Sequence, residues 1–299
     1  MFKNILIIGC GMIGSSILRG AISQKLCKKP YVYEKNIKYQ NQIKKINKKI
    51  VVIKKLDKKI RSMDLVVIST PMSEYNIIIN KLNKNLSSKT LITDVGSTRA
   101  NVSKLIYENL SKKLNWIMSH PIAGSEASGP GYGSKNLFKN KWCILVKSKK
   151  NKVLQKKLSI FWKKLGCKVV FMQEQEHDKI FSVTSHLPHL IAYNLIKTAQ
   201  DFQKIHKKNI IKYSAGGLRD FSRIAASNEI MWRDIFFNNS KNMSKIIDLF
   251  IKNLKNFKID INKKRNSLLL DKLAKSKKVR KQILLLKQDI SKPDFGRAN

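Results

Sequence analysis

Histidine, serine, arginine and carboxylate side chains gather in four short polar clusters along this chain. His120-Pro121-Ile122-Ala123-Gly124-Ser125-Glu126 is the first and Ser185-His186-Leu187-Pro188-His189 the second. Gly216-Gly217-Leu218-Arg219-Asp220-Phe221-Ser222-Arg223 is the third and Met231-Trp232-Arg233-Asp234 the fourth. These residue types suit proton transfer and anion binding. An imidazole titrates near neutral pH and can take a proton from a reacting hydroxyl. A guanidinium presents a planar fork that matches a carboxylate. Arg219, Arg223 and Arg233 also read as helix-surface charges pairing with Asp220 and Asp234. His186 and His189 stand three residues apart, on one helix face. No cysteine or carboxylate at ligand spacing joins them, so no metal is expected.

Near the start of the chain, Gly9-Cys10-Gly11-Met12-Ile13-Gly14 follows the apolar run Lys3–Ile8 and precedes an amphipathic stretch. A GxGxxG turn between strand and helix is suited to a dinucleotide. The first glycine permits the tight turn, the second lets backbone approach a pyrophosphate, and the third lets helix pack on strand. The helix N-terminus then offers free N–H groups to phosphate. Glu34 ends the second apolar run, 20 residues after Gly14. An acid there accepts from ribose hydroxyls and repels a ribose phosphate, which favours NAD over NADP, although Lys35 beside it weakens the inference. Ser69-Thr70-Pro71 and Asp94-Val95-Gly96-Ser97 end two further runs. Ligands of open α/β sheets sit beyond such strand ends, so both are expected near the nicotinamide half of the cofactor.

The elements that must carry these groups follow from patterning. Lys3–Ile8, Pro30–Glu34, Val51–Lys54, Leu65–Ser69, Thr90–Thr93 and Trp116–Ser119 read as strands with helix-length segments between several of them. Trp142–Val146 and Lys168–Met172 follow, with a helix expected over Lys149–Leu165. This alternation predicts an α/β Rossmann domain over residues 1–172, its parallel sheet covered on both faces. From Gln173 strand signals vanish. Helical spacing runs through Ile180–Thr198, Ile230–Leu254 and Leu268–Leu286, with Gly216 and Gly217 read as a break, so residues 173–299 are expected to form an all-α domain.

Composition narrows the class. No run of 18 apolar residues is present, so no membrane span is expected, and the first residues suit a buried strand better than a signal peptide. Four cysteines form no CxxC pair, as in a reducing cytoplasm. The formal charge of +42 invites a nucleic-acid partner, but only nine of the 61 basic residues are arginine and the lysines are scattered among asparagine and isoleucine. All three residue types have AT-rich codons, so genome composition accounts for the bias and no nucleic-acid partner is expected.

Taken in order, TDVGST, SHPIAGSEASG, SHLPHLIAYNL, GGLRDFSRIAAS and MWRDI resemble the signature segments of prephenate/arogenate dehydrogenases. The resemblance runs from the glycine turn to at least Asp234, and the closing PDFGR is similar to an ending seen in some bacterial members. It implies a Rossmann domain followed by a helical domain that forms a homodimer. It also implies NAD-dependent oxidative decarboxylation of prephenate and/or arogenate. His120 matches the catalytic histidine and Ser97 a serine near the reacting hydroxyl. Arg223 matches the arginine that binds a substrate carboxylate, and His189, Ser185 and His186 match pocket residues. Arg219, Asp220 and Trp232 are expected to shape the pocket or hold Arg223. Leu218, where an aromatic is expected, and Arg219, where lysine also occurs, are the departures. A β-hydroxyacid dehydrogenase or pyrroline-carboxylate reductase would share the glycine turn and two-domain layout, but not the three central segments together.

Overall fold

The computed structural model describes residues 2–148 and 151–286. The first helix, α1 (Met12–Ser23), follows β1 (Phe2–Ile8) directly. Then come β2 (Cys27–Tyr33), α2 (Ile37–Lys44), β3 (Val51–Ile53), β4 (Leu65–Ile68), α3 (Tyr75–Asn85), β5 (Leu91–Asp94), α4 (Ala100–Asn109) and β6 (Asn115–Trp116). The strands form one parallel sheet in the order β3-β2-β1-β4-β5-β6. That is the strand order of doubly wound dinucleotide-binding folds, with the reversal of direction between β1 and β4. Central strands covered on both faces must be apolar throughout rather than alternating. Accordingly Ile5–Ile8 of β1 and all of β4 are buried.

A second, three-stranded sheet follows: β7 (Ser119–Pro121), β8 (Trp142–Val146) and β9 (Lys168–Met172), with α5 (Lys152–Lys164) joining the last two. β7 runs antiparallel to β8, and β8 parallel to β9. This corrects the expectation of one strand over Trp116–Ser119. The chain leaves the parallel sheet after Trp116, and Ile117 N–H still donates to Ile92 O. Met118 O then accepts from Val146 N–H, in the new sheet. An apolar run shows that a segment is extended and buried, but not which neighbour pairs with it.

Beyond β9, no strand occurs among the described residues, as expected of 173 onwards. α6 (Glu174–Phe181) runs into a π-helical turn at Ser182–His186, followed by α7 (Leu187–His206) and α8 (Gly216–Ile224). α9 (Glu229–Asn238), α10 (Ser240–Asn262) and α11 (Asn266–Leu285) complete the described chain. Gly216 and Gly217 form the first turn of α8 rather than a break. The helix expected over Ile230–Leu254 is two helices, broken at Asn239, whose buried side chain is engaged elsewhere. The closing PDFGR lies outside the described residues.

The chain forms two compact units. One comprises Met1–His186 with Ala226–Ser240, and the other Leu187–Ala225 with Lys241–Asn299. In the first, a continuous apolar core runs from β1 and α1 to Phe138, Phe161 and Trp162. In the second, the facing ends of α10 and α11 are joined by Asp260, which pairs with Arg265 and Lys272. No described helix is long and apolar enough to cross a membrane.

Candidate active site

The nucleotide turn is built by close packing. Gly9 has φ +78°, and a Cβ on it would meet Thr70 Cγ2 at 2.6 Å. A Cβ on Gly14 would lie 2.3 Å from Gly9 O, so helix α1 can approach β1 only with glycine there. A Cβ on Gly11 would meet nothing within 4 Å. The motif therefore packs inward at Gly9 and Gly14 and is open at Gly11, where Met12 and Ile13 begin the helix. No side chain caps α1, and its first turn holds no acid. Glu34 follows β2 and turns back onto this loop: Oε2 accepts from Cys10 N–H at 2.8 Å and Oε1 from Asn36 N–H at 2.9 Å. Ser69 Oγ donates to Gly9 O, and Thr70 Oγ1 is buried with no protein partner. Pro71 stands exposed beside them. An uncapped helix start, an open glycine, a carboxylate at the turn and an orphaned hydroxyl together fit a dinucleotide.

Asp94 is a correction. Its carboxylate faces the interior rather than a ligand. It accepts from Arg99 Nη2 at 2.7 Å and from Tyr75 Oη, Gly96 N–H and Trp116 Nε1, each at 3.1 Å. Neither Asp94 nor Arg99 is exposed. Burial works against the charge on Arg99, yet the Asp94 carboxylate prevails and raises its pKa. Asp94 thus anchors the turn that carries Ser97, which is half-buried.

His120 sits within β7 rather than after a strand, paired across from Ile144, and is 8% exposed. Its Nδ1 lies 2.8 Å from Nε2 of His177, whose Nδ1 lies 2.9 Å from Asp178 Oδ1. Phe181 stacks against both rings, with centroids 5.0 and 4.4 Å away. Burial, then the nearby His177, Arg99 and His186, hold His120 well below the ordinary histidine pKa. His120 is thereby a neutral imidazole, the form that can accept a proton. The segment after it returns over α1. Ser125 Oγ lies 3.6 Å from Met12 Sδ, and Ser134 N–H donates to Ser16 Oγ at 3.0 Å. The proposed base and the nucleotide turn are therefore tied together within one unit.

The residues matched to substrate binding are divided. His186 and Trp232 are buried in the first unit, with rings edge-to-face at 6.2 Å, and Asn239 Nδ2 lies 3.1 Å from His186 Nδ1. Ser185 is half-buried in the same unit. His189, Arg219, Asp220 and Arg223 belong to the second unit: Arg219 and Asp220 are exposed, His189 and Arg223 half-buried. Arg233 pairs with Asp234 at 2.7 Å, but only the arginine is exposed. Asp234 is buried and also accepts from Ser73 N–H at 2.9 Å, which departs from a helix-surface pairing. Among the described residues no group of His, Cys, Asp or Glu is arranged to hold a metal ion. Sequence reasoning missed His177 and Asp178; a histidine–aspartate pair in the polar opening of a helix was the available signal.

Comparison with known proteins agrees with this geometry. Residues 20–171 match the family model described as prephenate dehydrogenase, nucleotide-binding domain, and residues 173–275 the one described as prephenate dehydrogenase, dimerization domain. A cyclohexadienyl dehydrogenase of Zymomonas mobilis is 31% identical over 97% of this chain and 98% of that protein. A prephenate dehydrogenase of Lactococcus lactis is 30% identical over 93% of this chain and 77% of that protein. The crystal structure of prephenate dehydrogenase from Aquifex aeolicus, in complex with hydroxyphenyl propionate and NAD+, is 33% identical, with TM-score 0.85 over 95% of this chain and 99% of that one. With matches to both domain models, relatives similar along nearly its whole length and a nucleotide turn tied to a buried neutral histidine, the chain belongs to the prephenate dehydrogenase family.

Proposed function

We propose that this enzyme oxidises prephenate and/or arogenate with NAD and releases carbon dioxide, yielding 4-hydroxyphenylpyruvate or tyrosine. The observation that carries the reading is His120, neutral, buried and joined through its own strand and loop to the glycine turn. Bound NAD supplies the hydride acceptor. His120 takes the proton of the substrate hydroxyl as that carbon loses hydride. The ring carboxylate then departs as carbon dioxide; its bonding electrons make the ring aromatic and pass to the former hydroxyl oxygen, which takes the proton back from His120. Ser97, on the turn anchored by Asp94, orients the hydroxyl. Arg223 binds a substrate carboxylate through its fork. His189, Ser185 and His186 line the substrate, and Arg219, Asp220 and Trp232 shape its surroundings. Glu34 accepts from the adenosine ribose.

The dimerisation domain suggests a homodimer, and the exposed Leu249, Ile251 and Leu254 of α10 and Leu268, Leu270 and Leu273 of α11 supply apolar area for it. All four cysteines are free thiols, which supports a cytoplasmic setting. Nucleic acid has no part in this reading. Following NADH formation by purified enzyme with NAD and either acid tests the reaction and identifies the substrate. Bound NAD without turnover of either acid would overturn it.

A further inference from the structure

We infer that His177 and Asp178 are positioning residues that fix the tautomer and orientation of His120, and that Asp178 also sets the start of the helix beside Ser97. This rests on the proposed dehydrogenase reaction. Asp178 Oδ1 accepts from Arg99 N–H at 2.8 Å, and Oδ2 from Ala100 N–H at 2.8 Å. Held by these donors, the carboxylate acts on His177 as an acceptor only. His177 Nδ1 therefore carries a proton and its Nε2 a lone pair. His120 Nδ1, 2.8 Å away, must then be the donor, which leaves His120 Nε2 as the lone pair for the reacting hydroxyl. The pair is braced from behind: Asn239 Nδ2 donates to Asp178 O at 2.8 Å.

The same carboxylate does a second job. α4 has no side-chain cap of its own and no acid in its first turn. Asp178 satisfies its first N–H groups from another helix, two and three residues beyond Ser97. One side chain thus registers the serine turn and the histidine ring against each other. The groups facing His120 are His177 and Asp178 of α6, Arg99 at the start of α4, His186 of the π-helical turn and Cys143 of β8.

The test compares His177→Phe, which keeps a ring but offers no acceptor, with His177→Gln, whose amide oxygen can reach the place of Nε2. Removal of the acceptor should lower kcat by about 10²-fold or more and leave KM and NAD affinity within about threefold, with at least a tenfold recovery in the glutamine variant. Nitrogen NMR of the whole enzyme, labelled at its five histidines, should show His120 protonated at Nδ1 in the wild type. A phenylalanine variant with near-normal kcat would overturn the inference. So would two variants equally impaired in turnover, NAD binding and thermal stability, which marks a structural role. If neither acid is turned over, the reaction assignment fails by itself, and the NMR tautomer still decides this inference: His120 protonated at Nε2 would sink it.

Discussion

Arg99 directs its guanidinium onto the carboxylate of Asp94, Nη2 to Oδ2 at 2.7 Å and Nη1 to Oδ1 at 3.1 Å, with neither side chain exposed. Removing one member of such a pair strands the other charge in the interior. Arg99→Leu should therefore cost about 3–5 kcal/mol of folding stability. Urea unfolding of the purified variant measures it; a loss below about 1 kcal/mol would show that Tyr75, Trp116 and Gly96 satisfy Asp94 without help.

His120→Asn should lower turnover by roughly 10²–10⁴-fold while NAD still binds, because the glycine turn is untouched. Steady-state kinetics and NAD titration separate the two effects. Near-normal turnover removes His120 from the chemistry.

Lys35 is drawn aside to Glu74, Nζ to Oε2 at 2.5 Å, while Glu34 next to it occupies the turn. Glu34→Gln should weaken NAD binding and narrow the preference over NADP. Glu74→Gln should by itself raise kcat/KM for NADP, by releasing a lysine next to the expected ribose position, and should change the NAD value little. An unaltered ratio in both variants would show that discrimination lies elsewhere.

Arg223→Ala should mainly raise KM for the substrate, by about 10-fold or more, as expected when a charge-assisted hydrogen bond to a carboxylate is lost. Arg223→Lys should recover only part of it, since a point charge lacks the fork. An unchanged KM would exclude the carboxylate role.

Stability should depend on pH through His177, which burial, with Arg99 and His186, holds at a pKa of about 2 against an ordinary 6.5. Below 6.5 the unfolded chain binds a proton that the folded chain refuses, so stability falls as pH drops toward the folded value. His120, also lowered, acts in the same direction. His177→Phe abolishes one such proton. The stability gap between wild type and variant should shrink by roughly 1 kcal/mol per pH unit below the ordinary histidine range. Unfolding at about pH 7.5 and about pH 5.5 reads this; a constant gap would mean that His177 is protonated in the fold.

The nucleotide end of the site was legible because it is local. Strand, glycines, helix and acid lie within the first 34 residues, and their spacing alone states the geometry. The proposed catalytic end was legible only in part. His120 and Ser97 stood out through resemblance. His177 and Asp178 did not, because their partners lie 57 and 79 residues away and no spacing rule links them. Asp94 was read toward the cofactor because it ends a strand. The deciding partner, Arg99, is five residues further on, but nothing in the local pattern says that an arginine there is fully buried. The break at Asn239 was hidden for a related reason: helical periodicity continues across it, and only the buried amide explains the interruption.

The borrowed cap on α4 also bears on synthesis. A nascent chain that has just exposed Arg99 and the start of α4 lacks the carboxylate that finishes this helix until residue 178 emerges in turn, 79 positions after Arg99. At roughly 5–20 residues per second, that is an interval of about 4–16 s on the ribosome. During it the six parallel strands can assemble, while α4 keeps an unfinished first turn and His120 lacks the ring that orients it. Translation thus supplies the strands of the parallel sheet before the residues that cap α4 and contact His120.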